Sequence, residues 1–199
     1  MTRATDKSKH LAIGSIARVL LFLAAGWVAV APDAARADAA KEYQVKAACL
    51  LNFAQFIEWP ATSFADSGTP ITVGVLGDDP FGQALEQTFQ DETVQGRKLV
   101  VKRSRQIEDL KTCHLVFIGA SEKDHLAETM AGLNDAHIAT VSEMRGFASR
   151  GGIVNFYIEN NKVRFEINAD AAQRSGLKIS SQLLKRAKIV NSDSGKGRE

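Results

Sequence analysis

The stretch VGVLGDDPFG, residues 73–82, decides how the rest of the chain is read. An apolar run stops at Gly77, turns through Asp78 and Asp79 and restarts at Pro80. In an open α/β sheet such a turn lies at the carboxyl end of a parallel strand, where ligands bind. It also has a mechanical reading, with Asp79 as a helix N-cap, Pro80 in the first helical position and Gly77 permitting the turn. No GxGxxG is present and no lysine-bearing phosphate loop follows. A phosphoryl-accepting aspartate is not expected in a secreted chain. Asp78 and Asp79, with Ser121 from a second turn, are therefore candidate ligand-binding residues beside a structural alternative.

Around this turn the chain alternates. ITVGVL (71–76) reads as a buried strand and PFGQALEQTFQ (80–90) as a helix. RKLVVKR (97–103) is a strand, IEDLKTC (107–113) a short helix and HLVFIG (114–119) a fully apolar strand. SEKDHLAETMAGL (121–133) is a helix, with Ser121 as its expected cap, and HIATVSE (137–143) a strand. Such alternation calls for a largely parallel sheet flanked by helices. The chain then changes character. Residues 153–158 and 163–168 alternate around Glu159-Asn160-Asn161-Lys162, a β-hairpin whose turn residues tolerate left-handed backbone. A last helical segment is expected to break at Gly176. Upstream, KEYQVKAACLLNFAQFIE (41–58) spaces Val45, Ala48, Cys49, Leu51, Phe53, Phe56 and Ile57 as an amphipathic helix that ends before Pro60. The fold class is thus α/β: a single compact domain with a largely parallel central sheet, a C-terminal β-hairpin and a helix.

The N-terminus stands apart. Arg3, Lys7, Lys9 and Arg18 precede the apolar run Val19–Ala31, which is followed by Ala35-Arg36-Ala37. That is the pattern of a cleavable secretory signal over residues 1–37, and the run is short for a bilayer span. Cleavage leaves 162 residues, of which 38–190 form the domain and 191–199 a disordered tail. It also leaves 20 basic against 21 acidic residues, a net charge of −1 in place of +2 for the whole chain. Nothing in that balance favours a nucleic-acid partner.

Chemistry-bearing patterns are sparse. His114, His125 and His137 lack HExxH or CxxC contexts, and no G-x-S-x-G occurs. Neither a metal nor a cofactor is expected, and no catalytic residue is nominated. Cys49 and Cys113 lie in apolar runs, as two buried free thiols or as one disulfide. Arg174, Lys178 and Ser180, with Ser181, could receive an anion or an acidic partner surface, or form a solvated helix face capped by Ser180 or Ser181. Trp59, at a helix end, is a candidate partner-binding residue, since Trp is enriched at binding hot spots.

Taken together, EYQVKAACLLNFAQFIEWP, ITVGVLGDDPFG, GRKLVV, CHLVFIGASE, GGIVNFYIENNKVRFEIN and SGLKISSQLL resemble the YfiR family, from about Glu42 to Val190. The resemblance implies a non-enzymatic, periplasmic negative regulator that contacts the periplasmic sensory domain of a membrane-bound diguanylate cyclase. Cyclic-di-GMP synthesis, and with it biofilm formation, would fall. It further implies sequestration by an outer-membrane lipoprotein and leaves room for a homodimer. The chain lacks the fuller cysteine set of some members, so no redox switch is expected. The alternative function is a periplasmic small-molecule sensor, without a cyclase partner, that uses the turns at Gly77-Asp78-Asp79 and Gly119-Ala120-Ser121.

Overall fold

The computed structural model describes residues 33–133 and 137–192. The signal-peptide reading falls mainly on residues 1–32 and the tail reading mainly on 193–199, outside the described residues. The chain divides into two compact units, Met1–Asp38 and Ala39–Glu199, and the second holds the whole sheet and both apolar clusters.

Ten strands and five α-helices are described: α1 (Asp33–Phe56), β1 (Ile57–Glu58), β2 (Ile71–Leu76), α2 (Ala84–Phe89), β3 (Thr93–Val94), β4 (Arg97–Ser104), β5 (Leu115–Ile118), α3 (Leu126–Leu133), β6 (Ala139–Ser142), β7 (Val154–Glu159), β8 (Lys162–Asn168), α4 (Ala169–Arg174), β9 (Lys178–Ile179), α5 (Ser181–Leu184) and β10 (Lys188–Val190). Eight strands form one sheet in the order β10-β8-β7-β6-β5-β2-β4-β3. β4, β2, β5, β6 and β7 run parallel, as does β10 on β8, whereas β7–β8 and β3–β4 are antiparallel. The central strands β5 and β6 are buried throughout, as strands covered on both faces must be.

Alternate residues of these strands feed two apolar clusters. Val73, Val75, Leu115 and Phe117 join one face with Ala47, Leu50, Phe53 and Ala54 of α1, Leu85 and Phe89 of α2, and Ala171 and Ala172 of α4. Leu76, Val116 and Ile118 join the other with Leu110, Leu126, Leu133 and Phe147. Phe53 anchors the first, stacked on Phe156 at 5.6 Å and edge-on to Phe165 at 5.1 Å. Burial of one such ring contributes roughly 2–3 kcal/mol.

The hairpin forms as expected, with Asn160 at φ 50° and Asn161 at φ 57°, the two left-handed positions of a two-residue turn. α4 ends before Gly176, whose φ is 72°. Several local expectations are corrected. The buried stripe of α1 is Ala47, Leu50, Phe53 and Ala54, while Val45 is 49% exposed. Its apolar residues cover more than one face, so composition left the rotation open. α1 also stops at Phe56, because Ile57-Glu58 pairs with β9. Asp79 does not cap a helix, and Pro80 does not open one. Asp79 Oδ1 accepts instead from Phe81 N at 2.8 Å, Gly82 takes φ 55°, and α2 starts at Ala84 behind Gln83. Ser121 does not cap either, since its 3-10 turn begins at Ala120 behind Gly119.

Candidate functional site

The connection after β2 packs on one face of the sheet through α2, and the connection after β5 on the other through α3. The turns at residues 77–79 and 119–121 therefore flank the topological switch point, the place where open α/β sheets bind ligands. Here the turns lie against each other. Gly119 N donates to Leu76 O at 2.9 Å, and Asp78 N donates to Ser121 Oγ at 3.0 Å. The Ser121 hydroxyl donates in turn to Glu122 Oε1 at 2.9 Å. A Cβ on Gly119 would come within 2.8 Å of Asp78 O, so glycine is required by the close approach of two backbones. The acids are engaged from the end of β4. Arg103 Nε donates to Asp79 Oδ2 at 2.7 Å and its guanidinium also pairs with Glu86, while Arg105 meets Asp78 Oδ1 at 2.6 Å. The hydrogen bond from Arg103 holds the Glu86 carboxyl below its ordinary value. Exposed pairs of this kind contribute little stability. They do occupy the polar groups that a ligand would need.

A second surface comes from distant sequence. β1 pairs antiparallel with β9, Glu58 opposite Lys178 and Ile57 opposite Ile179, and Ser180 N donates to Phe56 O at 2.9 Å. This ribbon brings Trp59 beside the segment that carries Lys178 and Ser180. Lys178 is exposed, Ser180 caps α5 by accepting from Gln182 N at 3.3 Å, and exposed Arg174 donates to Ser192 Oγ at 3.0 Å. The capping role expected of Ser180 thus coexists with its place on this surface. Trp59 is half-buried, and its indole N–H donates to His114 O at 2.9 Å.

His114 locks the ribbon to the sheet. Its Nδ1 accepts from Thr72 N at 3.1 Å, so Nε2 carries the proton and donates to Ser63 O at 3.1 Å. Its ring stacks on Phe64 at 4.5 Å. Burial is the main cause that lowers its pKa, and the nearby Arg97 charge adds to it. Because the unfolded chain protonates near pH ~6.5 and the native ring only below that, the native state loses stability as pH falls from ~6.5 through the lowered value. Urea titrations at pH 7.5 and 5 should show this loss, and His114→Gln should flatten it. An equal slope in the variant would assign the loss to other groups.

Cys49 and Cys113 are free thiols. Cys49 packs on the first apolar cluster and Cys113 belongs to the second, on the opposite face, so the disulfide alternative is not the one adopted. Burial raises both pKa values, that of Cys113 to about 11, which leaves little thiolate at neutral pH.

Sequence reasoning missed two polar groups. Lys46, 2% exposed, bridges Glu42 and Glu143, and Tyr43 donates its hydroxyl to Glu143 Oε1 at 2.9 Å. Burial, then the bond to Glu143, raise the Tyr43 pKa. The i,i+4 spacing of Glu42 and Lys46 was visible, but Glu143 lies 97 residues from Lys46. Asn155 had no signal at all. Its Oδ1 is buried without a hydrogen-bond partner.

Fold and surfaces define a doubly wound α/β module whose switch-point turns are bonded to each other and whose first helix is followed by a strand paired with a C-terminal one. The chain belongs to the YfiR/HmsC-like family, whose model matches residues 43–188. The family is one of regulators in cyclic-di-GMP signalling. No curated protein matches the sequence. Among solved structures, a conserved domain protein from Vibrio cholerae O1 biovar El Tor is 13% identical at a TM-score of 0.45, covering 60% of this chain and 54% of that one. An ABC domain in complex with L-Trp from Streptococcus pneumoniae is 10% identical at 0.44, covering 60% and 55%. The chain thus spans just over half of each. No helix among the described residues is long and apolar enough to cross a membrane.

Proposed function

We propose that this protein is a periplasmic negative regulator that binds the periplasmic sensory domain of a membrane-bound diguanylate cyclase and lowers cyclic-di-GMP synthesis. The family match over 43–188 carries the reading. The signal-like N-terminus supports export, and the cysteine-poor, cofactor-free motif content agrees with a role in binding. Regulation of this kind requires different affinity for the active and inactive partner conformations and no bond-making residue. The contact surface is the β1–β9 ribbon, with Trp59 as a half-buried aromatic anchor and Lys178, Arg174 and Ser180 around it. An outer-membrane lipoprotein would compete for the regulator, and a homodimer would present the ribbon twice. A sensor built on Asp78, Asp79 and Ser121 has less support, because Arg105, Arg103 and the Asp78 amide already engage those groups.

Deleting the gene should raise cellular cyclic-di-GMP. The full chain should reverse the rise and a leaderless chain should not. No change on deletion under conditions of expression would overturn the cyclase assignment. Lys178→Ala removes a charge from an exposed side chain, so it should weaken repression with little change in stability. Trp59→Ala should weaken repression further, and Trp59→Phe isolates the indole N–H. If Trp59→Ala unfolds the protein and Lys178→Ala represses normally, the contact lies elsewhere.

A further inference from the structure

β3 covers only part of the outer edge of β4. Their pairing stops at Thr93 and Lys98, while β2 runs along the inner side of β4 from Leu99 to Ser104. No strand among the described residues lies on the outer side of that stretch. Successive residues of a strand direct their backbone groups to opposite edges. Ser104 O accepts from Gly77 N at 3.0 Å on the β2 side, so the N–H and C=O of Val101 and Arg103 face outward. An edge left open in this way is a template for a further strand.

Charges commonly guard such edges, but here the cations are drawn away from it. Arg103 pairs with Asp79 and Glu86, Arg105 pairs with Asp78, and Lys102 Nζ donates to Asp109 O in the turn after β4. Val100, on the second face, is left 40% exposed. On the first face a groove of about 710 Å³ runs between α2 and β4, and Phe89, Leu99 and Val101 form its apolar floor. The charges around it select the occupant. Asp79, Glu86, Asp91 and Glu92 set four carboxylates against two cations, Arg103 and Lys98, so two negative charges remain. The carboxylates of Asp91 and Glu92 are exposed, with no hydrogen-bond or ion-pair partner among the described residues. A second copy of the chain fits poorly. Two antiparallel β4 strands would bring Lys102 and Arg103 of one copy against those of the other, and like charges across a strand pair are destabilising.

We propose that the open edge of β4 binds an extended segment of a partner protein, which adds as a further strand with a bulky apolar side chain in the groove and a lysine or arginine two residues to either side. The backbone groups of Val101 and Arg103 set its register. The apolar floor takes the central side chain, and Glu86, Asp91 and Glu92 meet the flanking cations. Residues two apart in a strand share a face, so all three side chains reach the groove together and the intervening ones fall beside Val100. The edge shares no residue with the β1–β9 ribbon and does not depend on which protein that ribbon contacts.

Fluorescence anisotropy on the purified protein would use a labelled peptide, Thr-Lys-Val-Phe-Val-Lys-Thr, beside three controls: glutamate in place of both lysines, alanine in place of phenylalanine, and proline in place of both valines, which prevents strand pairing. The first peptide should bind saturably and at least about tenfold more tightly than each control. Added salt should weaken it. Asp91→Asn combined with Glu92→Gln, at exposed positions, should lower the affinity at least about threefold with little change in melting temperature. Val101→Pro removes an outward N–H, which edge strands tolerate, and should abolish binding by the folded protein. If that variant does not fold, the Asp91→Asn, Glu92→Gln pair decides. Absence of saturable binding, equal affinity for the glutamate peptide, or affinity unchanged by Asp91→Asn with Glu92→Gln would overturn the proposal. Self-association of the wild-type chain that Val101→Pro abolishes would make the occupant a second copy and overturn it as well.

Discussion

Replacing Lys46 with alanine is expected to destabilise the domain by about 3 kcal/mol, enough to remove much of the stability of a typical small domain. The ammonium is almost fully enclosed, and it is shared between Glu42 of its own helix and Glu143 beyond β6. Without it, Glu143 keeps only the Tyr43 hydroxyl and a partly desolvated charge. The figure lies at the low end of the range for breaking a buried pair, because the two carboxylates retain 34% and 23% side-chain exposure and can recover some hydration. Lys46→Met should cost nearly as much, since the apolar stem contributes less than the charge. Urea unfolding of the single variants and of Lys46→Met with Glu143→Gln would separate the terms. The double variant should be clearly more stable than the sum of the single losses implies. Additive losses would show that the cluster does not act as a unit.

Gly152→Ala is the second large effect, expected at about 3 kcal/mol or more. The cause is steric. A Cβ at residue 152 would sit 2.1 Å from one ring carbon of Phe147 and 2.3 Å from the next, and Phe147 is fully buried in the second apolar cluster. The backbone cannot retreat easily, because Gly152 N donates to Phe147 O at 3.0 Å and closes the turn on itself. The ring must then leave its well or the turn must open. Phe147→Leu in the Gly152→Ala background should restore part of the loss. If Gly152→Ala unfolds at the wild-type urea midpoint, the ring has room to move and the account fails.

The two predictions fall on parts of the chain that differ in legibility. Strand and helix alternation from residue 71 to 143 was readable, because fully buried strands are continuous apolar runs and their connections carry glycine and proline. The Asn160-Asn161 turn was readable for a similar reason, since few residues accept two left-handed positions in succession. In the candidate sites, Asp78 and Asp79 were named from the sequence without the arginines that engage them. Arg103 and Arg105 reach them from β4, and no local spacing encodes that reach. The same limit hid β1 and β9, two-residue strands that exist through each other, and the unpaired amide of Asn155.

What the sequence alone determined is therefore the α/β class, the order of the main strands and the turns that glycine and asparagine enforce, all consequences of side-chain burial and backbone sterics within a few residues. Only the tertiary structure decided which face of α1 is buried, that Lys46 lies beneath it between two carboxylates, that the two switch-point turns bond to each other, and that the strand before Trp59 pairs with Lys178. Each of these depends on groups brought together across long stretches of chain, whose energies of desolvation and pairing exist only once the sheet has assembled.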